Sequence, residues 1–434
     1  MRLREKTILA AGNLLMKGFA AKADSFGSGP VEPLARFNKL LAGARAGLPA
    51  YDAACSAAGL GAKGAVSLDE IRKVPILGRA DMATGSNRIK GARALARLES
   101  GGTGRSGRLE TLLSLDAVAG RYAALLSVLK AAGWRMGGAT AALHPEEYGY
   151  FQNFGGMLRS GAFPKMAFEF FQQYLLYRLF HNRVNIYYGG NIFSSDEAAR
   201  RMLRSAQARD PELLITRPDA LMSLLRVTGG ERPFGRLKAV LTVGTALAGS
   251  VREEAERKLG AGVFNMYAST ELGYIALGCG ASGDWLHVDE ADYLVENEPG
   301  RGLLVTDFNN RLMPMIRYET GDCAETAVAA CGCGRSGLRL KLKGRLRAFI
   351  RDQAGAELRE TDIIDRTYEA SLPFFQLLAG KDGLELLLAP SGSGKETETS
   401  RTVETALGLS PGAIVRSGVS GFSMPPSGKF CFLP

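Results

Sequence analysis

Val184-Asn185-Ile186-Tyr187-Tyr188-Gly189-Gly190, Glu212-Leu213-Leu214-Ile215-Thr216-Arg217 and Leu237-Lys238-Ala239-Val240-Leu241-Thr242-Val243-Gly244 are the runs whose reading decides the fold. Each is β-branched or apolar through its middle, and each is followed by a segment of helical pattern. Strands that alternate with helices in this way form a parallel sheet covered by helices, an α/β architecture. Upstream, residues 1–90 read as helices and loops, with a helical stretch from Ser67 to Arg72 that ends before Val74-Pro75. A long helical pattern runs from Leu115 to Trp134. Downstream, from Leu286 to Asp322, short strands are broken by turns at Glu298-Pro299-Gly300 and Asn309-Asn310, the texture of an antiparallel, barrel-like section. Beyond Gly344 the order strand, helix, strand, strand, helix, strand predicts a small α+β domain hinged near residues 343–347. The polar stretch 395–401, KETETSR, reads as a loop within it. The expected division is a large domain over residues 1–343 and a small one over 344–434.

The chain has 434 residues, 46% of them hydrophobic, 23% charged and 54 of them glycine, which fits a globular, turn-rich enzyme of two domains and excludes disorder. Its net charge of +10 allows an anionic partner. The Lys and Arg residues are scattered and carry no interleaved aromatics that would stack on bases, so a phosphorylated substrate is favoured over nucleic acid. Six cysteines do not make a disulfide framework, which points to a reducing cytoplasm. The basic and then apolar N-terminus imitates a signal peptide, but Asn13 and Lys17 interrupt the apolar run and the pattern suits an amphipathic helix. No segment approaches the roughly 20 apolar residues of a membrane span.

The densest chemical signal is Ser100-Gly101-Gly102-Thr103-Gly104-Arg105-Ser106-Gly107. Small residues let backbone amides and hydroxyls close on a phosphate. The G-x-G-x-x-G of Gly102 to Gly107 lacks the strand-loop-helix context of a dinucleotide site, because a long helix follows. A Walker loop fails on chemistry, since Arg108 and Leu109 stand where Lys and Ser or Thr are needed. A flexible turn is the plain alternative.

Further motifs give the loop its meaning: Tyr267-Ala268-Ser269-Thr270-Glu271, Ile316-Arg317-Tyr318-Glu319-Thr320-Gly321-Asp322, Gly344-Arg345 and Pro426-Ser427-Gly428-Lys429. In order and spacing they resemble those of the adenylate-forming, AMP-binding enzymes. The stretches at 51–60 and 67–82, and the aromatic segment YGYFQNFGG at 148–156, resemble the phenylacetate-CoA ligase and capsular-polysaccharide branch. The resemblance implies ATP-dependent activation of a carboxylic acid to an acyl-adenylate with release of pyrophosphate, then transfer to coenzyme A.

It also implies roles. Ser100 to Arg105 would hold the ATP phosphates, Thr270 would contact the α-phosphate, and Glu271 would ligate magnesium. Gly244-Thr245-Ala246 would lie on the adenine and Tyr267 would pack against it. Asp322 would accept the ribose hydroxyls, and Arg345 matches a ribose or phosphate contact. Lys429 would bridge the carboxylate and the α-phosphate, carried in by a mobile small domain whose rotation then admits coenzyme A. Each has a plainer reading: an exposed acid for Glu271, turn residues for Gly244 and Asp322, a solvated terminal lysine for Lys429. Two departures stand out. Arg105 occupies the usual place of Lys in the loop, and Leu346-Arg347-Ala348 replaces the acidic hinge, which puts the rotation in doubt.

Cys279, His287, Cys331 and Cys333 form two sequence clusters whose thiolates and imidazole suit a tetrahedral, structural zinc if they meet in space, with unligated reduced cysteines as the alternative. Cys55, Cys323 and Cys431 read as buried apolar residues. The aromatics of 148–154, Phe154 included, are equally candidates for the acid pocket and for core packing. The acceptor is open between coenzyme A and an amine, hydroxyl or carrier protein, and a nucleotide-binding relative without turnover is a further reading. A small carboxylic acid is the expected partner, the identity of the acid is not legible, and a homodimer is compatible with the sequence.

Overall fold

The computed structural model of the chain describes residues 32–61, 64–65, 67–90, 94, 96–99, 109–135, 137–146, 177–178, 181–230, 232–370, 372, 374–389, 394–419, 421–425 and 427–434. The first two described helices, α1 (Pro33–Gly47) and α2 (Pro49–Ala57), each begin with proline, whose fixed φ and missing N–H suit a first helical turn. The short helix Leu68–Ile71 is capped by the Ser67 hydroxyl on the Glu70 amide. Strands Ala96–Glu99 and Glu110–Leu113 pair antiparallel, and the long helix α3 (Leu115–Ala131) starts directly after them under the Ser114 cap. A strand therefore stands between the glycine-rich loop and the helix that the sequence was expected to place next. The loop itself, residues 100–107, lies outside the described residues.

The large sheet begins with β1 (Thr140–Pro145), β2 (Arg183–Tyr188), β3 (Leu213–Thr216), β4 (Ala239–Val243) and β5 (Gly262–Ser269), all parallel, in the order β2-β1-β3-β4-β5. Helices α4 (Asp196–Arg209), α5 (Pro218–Val227) and α6 (Gly249–Leu259) cross between them. The three runs that opened the sequence reading are β2, β3 and β4. In β3 and β4 the continuous apolar character follows from burial on both faces, with Leu214, Val240 and Leu241 at most 1% exposed, whereas β2 at the sheet edge is half-buried and exposes Tyr187.

From β5 the sheet turns antiparallel through β6 (Gly273–Gly278) and β7 (Leu286–Val288). A separate three-stranded antiparallel sheet, β8 (Tyr293–Glu298), β9 (Gly302–Asp307) and β10 (Met315–Glu319), follows the predicted turns. Then β11 (Asp322–Val328) and β12 (Leu338–Arg345) return to the edge of the large sheet. The expected mixed α/β class, with a mostly parallel sheet and smaller antiparallel sections, is the one observed.

After β12 the chain forms α7 (Glu360–Glu369), β13 (Phe375–Ala379), β14 (Leu384–Leu388), α8 (Glu396–Leu407) and β15 (Ile414–Val419), with β13-β14-β15 as one sheet. The stretch 395–401 is helical from Glu396 onward, not the expected loop. Glu396 and Glu398 favour its N-terminus electrostatically, Val403 and Leu407 bury one turn apart, and Gly408 ends it at φ 64°. This C-terminal unit shares one apolar core with α4, α5 and α6. Phe193, ahead of α4, stands 5.0 Å from Phe430 and 5.4 Å from Phe374, and Phe430 packs edge-on to Phe374 and Phe432 at 5.0 and 5.2 Å. Among the described residues no helix is long and apolar enough to cross a membrane.

Candidate active site

The parallel strands all end on one side, and in open α/β sheets ligands bind at those carboxyl ends. β5 ends in the Ser269-Thr270-Glu271 turn. Arg121 of α3 holds the turn by donating to the carbonyl oxygens of Thr270, at 2.8 Å, and Glu271. Glu271 is buried, with its carboxylate 3.7 Å from Arg79 Nη1. Among the described residues that ion pair leaves most of the carboxylate's acceptor capacity for a hard cation.

Asp322 opens β11. Its Oδ2 accepts the Tyr267 hydroxyl at 2.7 Å, and its Oδ1 faces Arg345 Nη1 at 3.2 Å. Gly302 makes this placement sterically allowed: it has φ 72°, and a Cβ there would collide with the Asp322 carbonyl oxygen. Burial, followed by the Asp322 charge, raises the Tyr267 phenol well above its ordinary value. Asp322 in turn raises the Arg345 guanidinium, which also senses Glu271.

Lys429 reaches the same place from the far end of the chain. A methyl group on Gly244, the φ 102° glycine after β4, would lie 4.0 Å from Lys429 Cε. Burial, then the positive charges of Arg345 and Arg217, lower the Lys429 ammonium from its usual value, and Asp322 opposes them. The described residues thus join Tyr267, Asp322 and Arg345 through a hydrogen bond and an ion pair, set Lys429 beside Gly244, and let Arg345 sense Glu271 and Lys429 sense Asp322 electrostatically. The Thr245 hydroxyl after β4 and the Ser427 hydroxyl two residues before Lys429 are shielded from water with no hydrogen-bond partner among the described residues. Orphaned buried hydroxyls are costly, and both flank the segments that carry Gly244 and Lys429. Ser100 to Arg105 lie outside the described residues, as do the aromatics of 148–154.

Sequence reasoning missed Arg217, Asp219, Arg79 and Arg121. Arg217 closes the run that identified β3 and was read only as its last residue, yet an arginine followed by Pro218-Asp219 at a helix start is itself a signal.

The second predicted cluster also assembles. Cys279 follows β6, His287 lies on β7, and Cys331 and Cys333 sit in the turn between β11 and β12; their ligand atoms lie within 4.8 Å of one another. Cys279 Sγ is 3.5 Å from His287 Nε2 and 3.6 Å from Cys331 Sγ, and Cys333 Sγ is 3.5 Å from Nε2. A tetrahedron with Zn–S near 2.3 Å and Zn–N near 2.0 Å has edges of about 3.8 and 3.5 Å, so the donor set has the right chemistry and nearly the right spacing. Of the other cysteines, Cys55 is fully buried, whereas Cys323 and Cys431 are only partly so, a correction to the expectation for these two.

The fold is that of the adenylate-forming CoA ligases. A 2-hydroxyisobutyryl-CoA ligase in the postadenylation state superposes with a TM-score of 0.63 at 17% identity, over 89% of this chain and 84% of that one. The same ligase in its thioesterification state, with acyl-AMP and CoA, gives 0.55 at 18% over 89% and 85%. An anthranilate CoA ligase bound to anthranoyl-AMP gives 0.50 at 12% over 77% and 65%. No protein-family model and no curated protein matches the sequence.

Proposed function

We infer that the chain activates a small carboxylic acid with ATP, releasing pyrophosphate and forming an acyl-adenylate that it passes to coenzyme A, in the manner of the phenylacetate-CoA ligases. The observation that supports this reading is the convergence of Asp322, braced by Tyr267 and Arg345, with a lysine brought from near the chain's end to lie beside Gly244, after β4. The nucleotide, when bound, supplies an electrophilic phosphorus and a pyrophosphate leaving group. Asp322 offers its carboxylate to the ribose hydroxyls, and the Gly244-Thr245-Ala246 backbone offers a flat floor for the base. Glu271 would hold magnesium, which when bound would supply positive charge to the phosphates. Lys429 places positive charge between the attacking carboxylate and the phosphorus, where negative charge develops. Cys279, His287, Cys331 and Cys333 would hold a structural zinc, which would tie the β6–β7 and β11–β12 segments together.

A second reading concerns the acceptor. Phe193, Phe374 and Phe430 join the C-terminal unit to the sheet domain through buried aromatic contacts, and Arg359 Nη1 donates to the carbonyls of Arg345 and Leu346 at the junction, at 2.9 and 2.5 Å. An amine, hydroxyl or carrier-protein acceptor that reaches the adenylate without domain rotation fits these contacts. The test is ATP–pyrophosphate exchange over a panel of carboxylic acids, followed by coenzyme A consumption. Exchange that needs an acid and is abolished in Lys429→Ala supports adenylation, and full exchange in that variant removes Lys429 from its role. Exchange without coenzyme A consumption selects the second reading.

A further inference from the structure

We propose that Arg217 and Asp219 are positioning residues that seat Lys429, a buried ion pair gripping the peptide groups on either side of the lysine. Its kinetic consequence rests on the adenylation reading above; its structural consequence rests on the hydrogen bonds alone.

Arg217 leaves β3 and Asp219 lies in the first turn of α5, with side chains only 8% and 5% exposed. Their fork is bidentate: Nε donates to Asp219 Oδ1 at 3.0 Å and Nη2 to Oδ2 at 2.8 Å. The remaining donors turn to the chain's end. Nη1 donates to the Ser427 carbonyl at 3.1 Å and Nη2 to the Gly428 carbonyl. Asp219 Oδ2 accepts the Phe430 amide at 2.9 Å. The two carbonyls before Lys429 and the amide after it are thereby fixed by one pair of side chains some 210 positions away in sequence.

Apolar packing alone would hold this tail, and Phe430 already supplies it. A buried ion pair is an expensive substitute for apolar contact and is weak evidence for stability. What it adds is direction, because a planar fork on consecutive carbonyls sets the orientation of the peptides and so the line along which the lysine leaves the chain. The setting calls for such control. The charges of Arg345 and Arg217 both work against the Lys429 ammonium, and an untethered turn would release it toward solvent. Gly244 forms the shared floor: a methyl there would lie 3.6 Å from Arg217 Cδ and 4.0 Å from Lys429 Cε.

Asp219→Asn replaces one of the two accepting oxygens by a donor where Arg217 and the amides of Ala220 and Phe430 all donate, and Arg217→Lys keeps the charge but loses the fork. Three readouts apply to both variants: thermal unfolding, amide hydrogen exchange at Phe430, and ATP–pyrophosphate exchange with whichever of phenylacetate, benzoate and 2-hydroxyisobutyrate the unaltered chain uses. Protection at Phe430 is expected to fall by about ten-fold or more while the amides of β3 and β4 keep theirs. The exchange kcat is expected to fall on the order of a hundred-fold, with KM for ATP changed by less than about three-fold. In a Lys429→Ala background, Arg217→Lys is expected to add no further loss, since it acts through the lysine. Unchanged Phe430 protection in Asp219→Asn, or losses from Arg217→Lys and Lys429→Ala that multiply, overturns the proposal. Should Asp219→Asn fail to fold, Arg217→Lys carries the same readouts. If the unaltered chain exchanges with none of the three acids, the adenylation reading loses its support, while the Phe430 amide still decides whether the clamp exists.

Discussion

Asp322 spends both carboxylate oxygens on protein partners, Tyr267 and Arg345, so any nucleoside hydroxyl must share them. Tyr267→Phe removes one donor and keeps the ring. AMP affinity measured by calorimetry is expected to weaken by about 1 kcal/mol, roughly five-fold in Kd, because the braced carboxylate loses its orientation. Glu360 is a residue of a different kind. It lies beneath the chain's end, accepting the amides of Phe432 at 2.7 Å and Leu433 at 3.3 Å, and burial raises its carboxyl from 4.5 to about 7. The folded chain therefore keeps a proton that the unfolded chain has lost. The stability this contributes is full below pH 4.5 and is lost as pH rises to about 7. Between about pH 4.5 and pH 7 the urea midpoint is expected to fall, and Glu360→Gln is expected to flatten that slope. An equal slope in the variant would place the titration elsewhere.

At the scale of elements, the β6–β7 turn, strand β7 and the β11–β12 turn bring three thiol sulfurs and one imidazole nitrogen within 4.8 Å of one another. Purified protein is expected to hold one zinc per chain. Cys331→Ser should lower both the metal content and the melting temperature, and a metal-free preparation with unchanged melting would discard the site. The aromatic cluster between Phe193, Phe374 and Phe430 gives a second expectation. Phe430→Ala should cost about 3–5 kcal/mol in denaturant unfolding, since a fully enclosed ring leaves a cavity.

At the scale of the molecule, one apolar core runs from α4, α5 and α6 into β13, β14 and α8. A core shared in this way predicts a single calorimetric transition and slow proteolytic release of residues 344–434, whereas two independent transitions would mark a loosely attached lid.

How much of this was legible in the sequence follows from the range of the interactions involved. Apolar runs and turn residues located β2, β3, β4 and the antiparallel strands, because alternation, proline and glycine act within a few residues. The helix over 396–407 was misread at its start, since KETETSR is polar and the side chains that bury it, Val403 and Leu407, lie beyond that stretch. The motif residues Tyr267, Asp322, Arg345 and Lys429 were visible as strings. Their contacts were not, for Tyr267 and Asp322 are 55 positions apart and Arg217 and Gly428 are 211 apart. The sequence by itself determined the class of fold, the order of the elements and the kinds of side chain available for chemistry, all of which rest on local pattern. Only the tertiary structure decided which carboxylate is braced and by whom, that four dispersed sulfur and nitrogen ligands meet, and that a buried arginine grips the lysine's turn, because hydrogen bonds and burial depend on where distant segments come to lie.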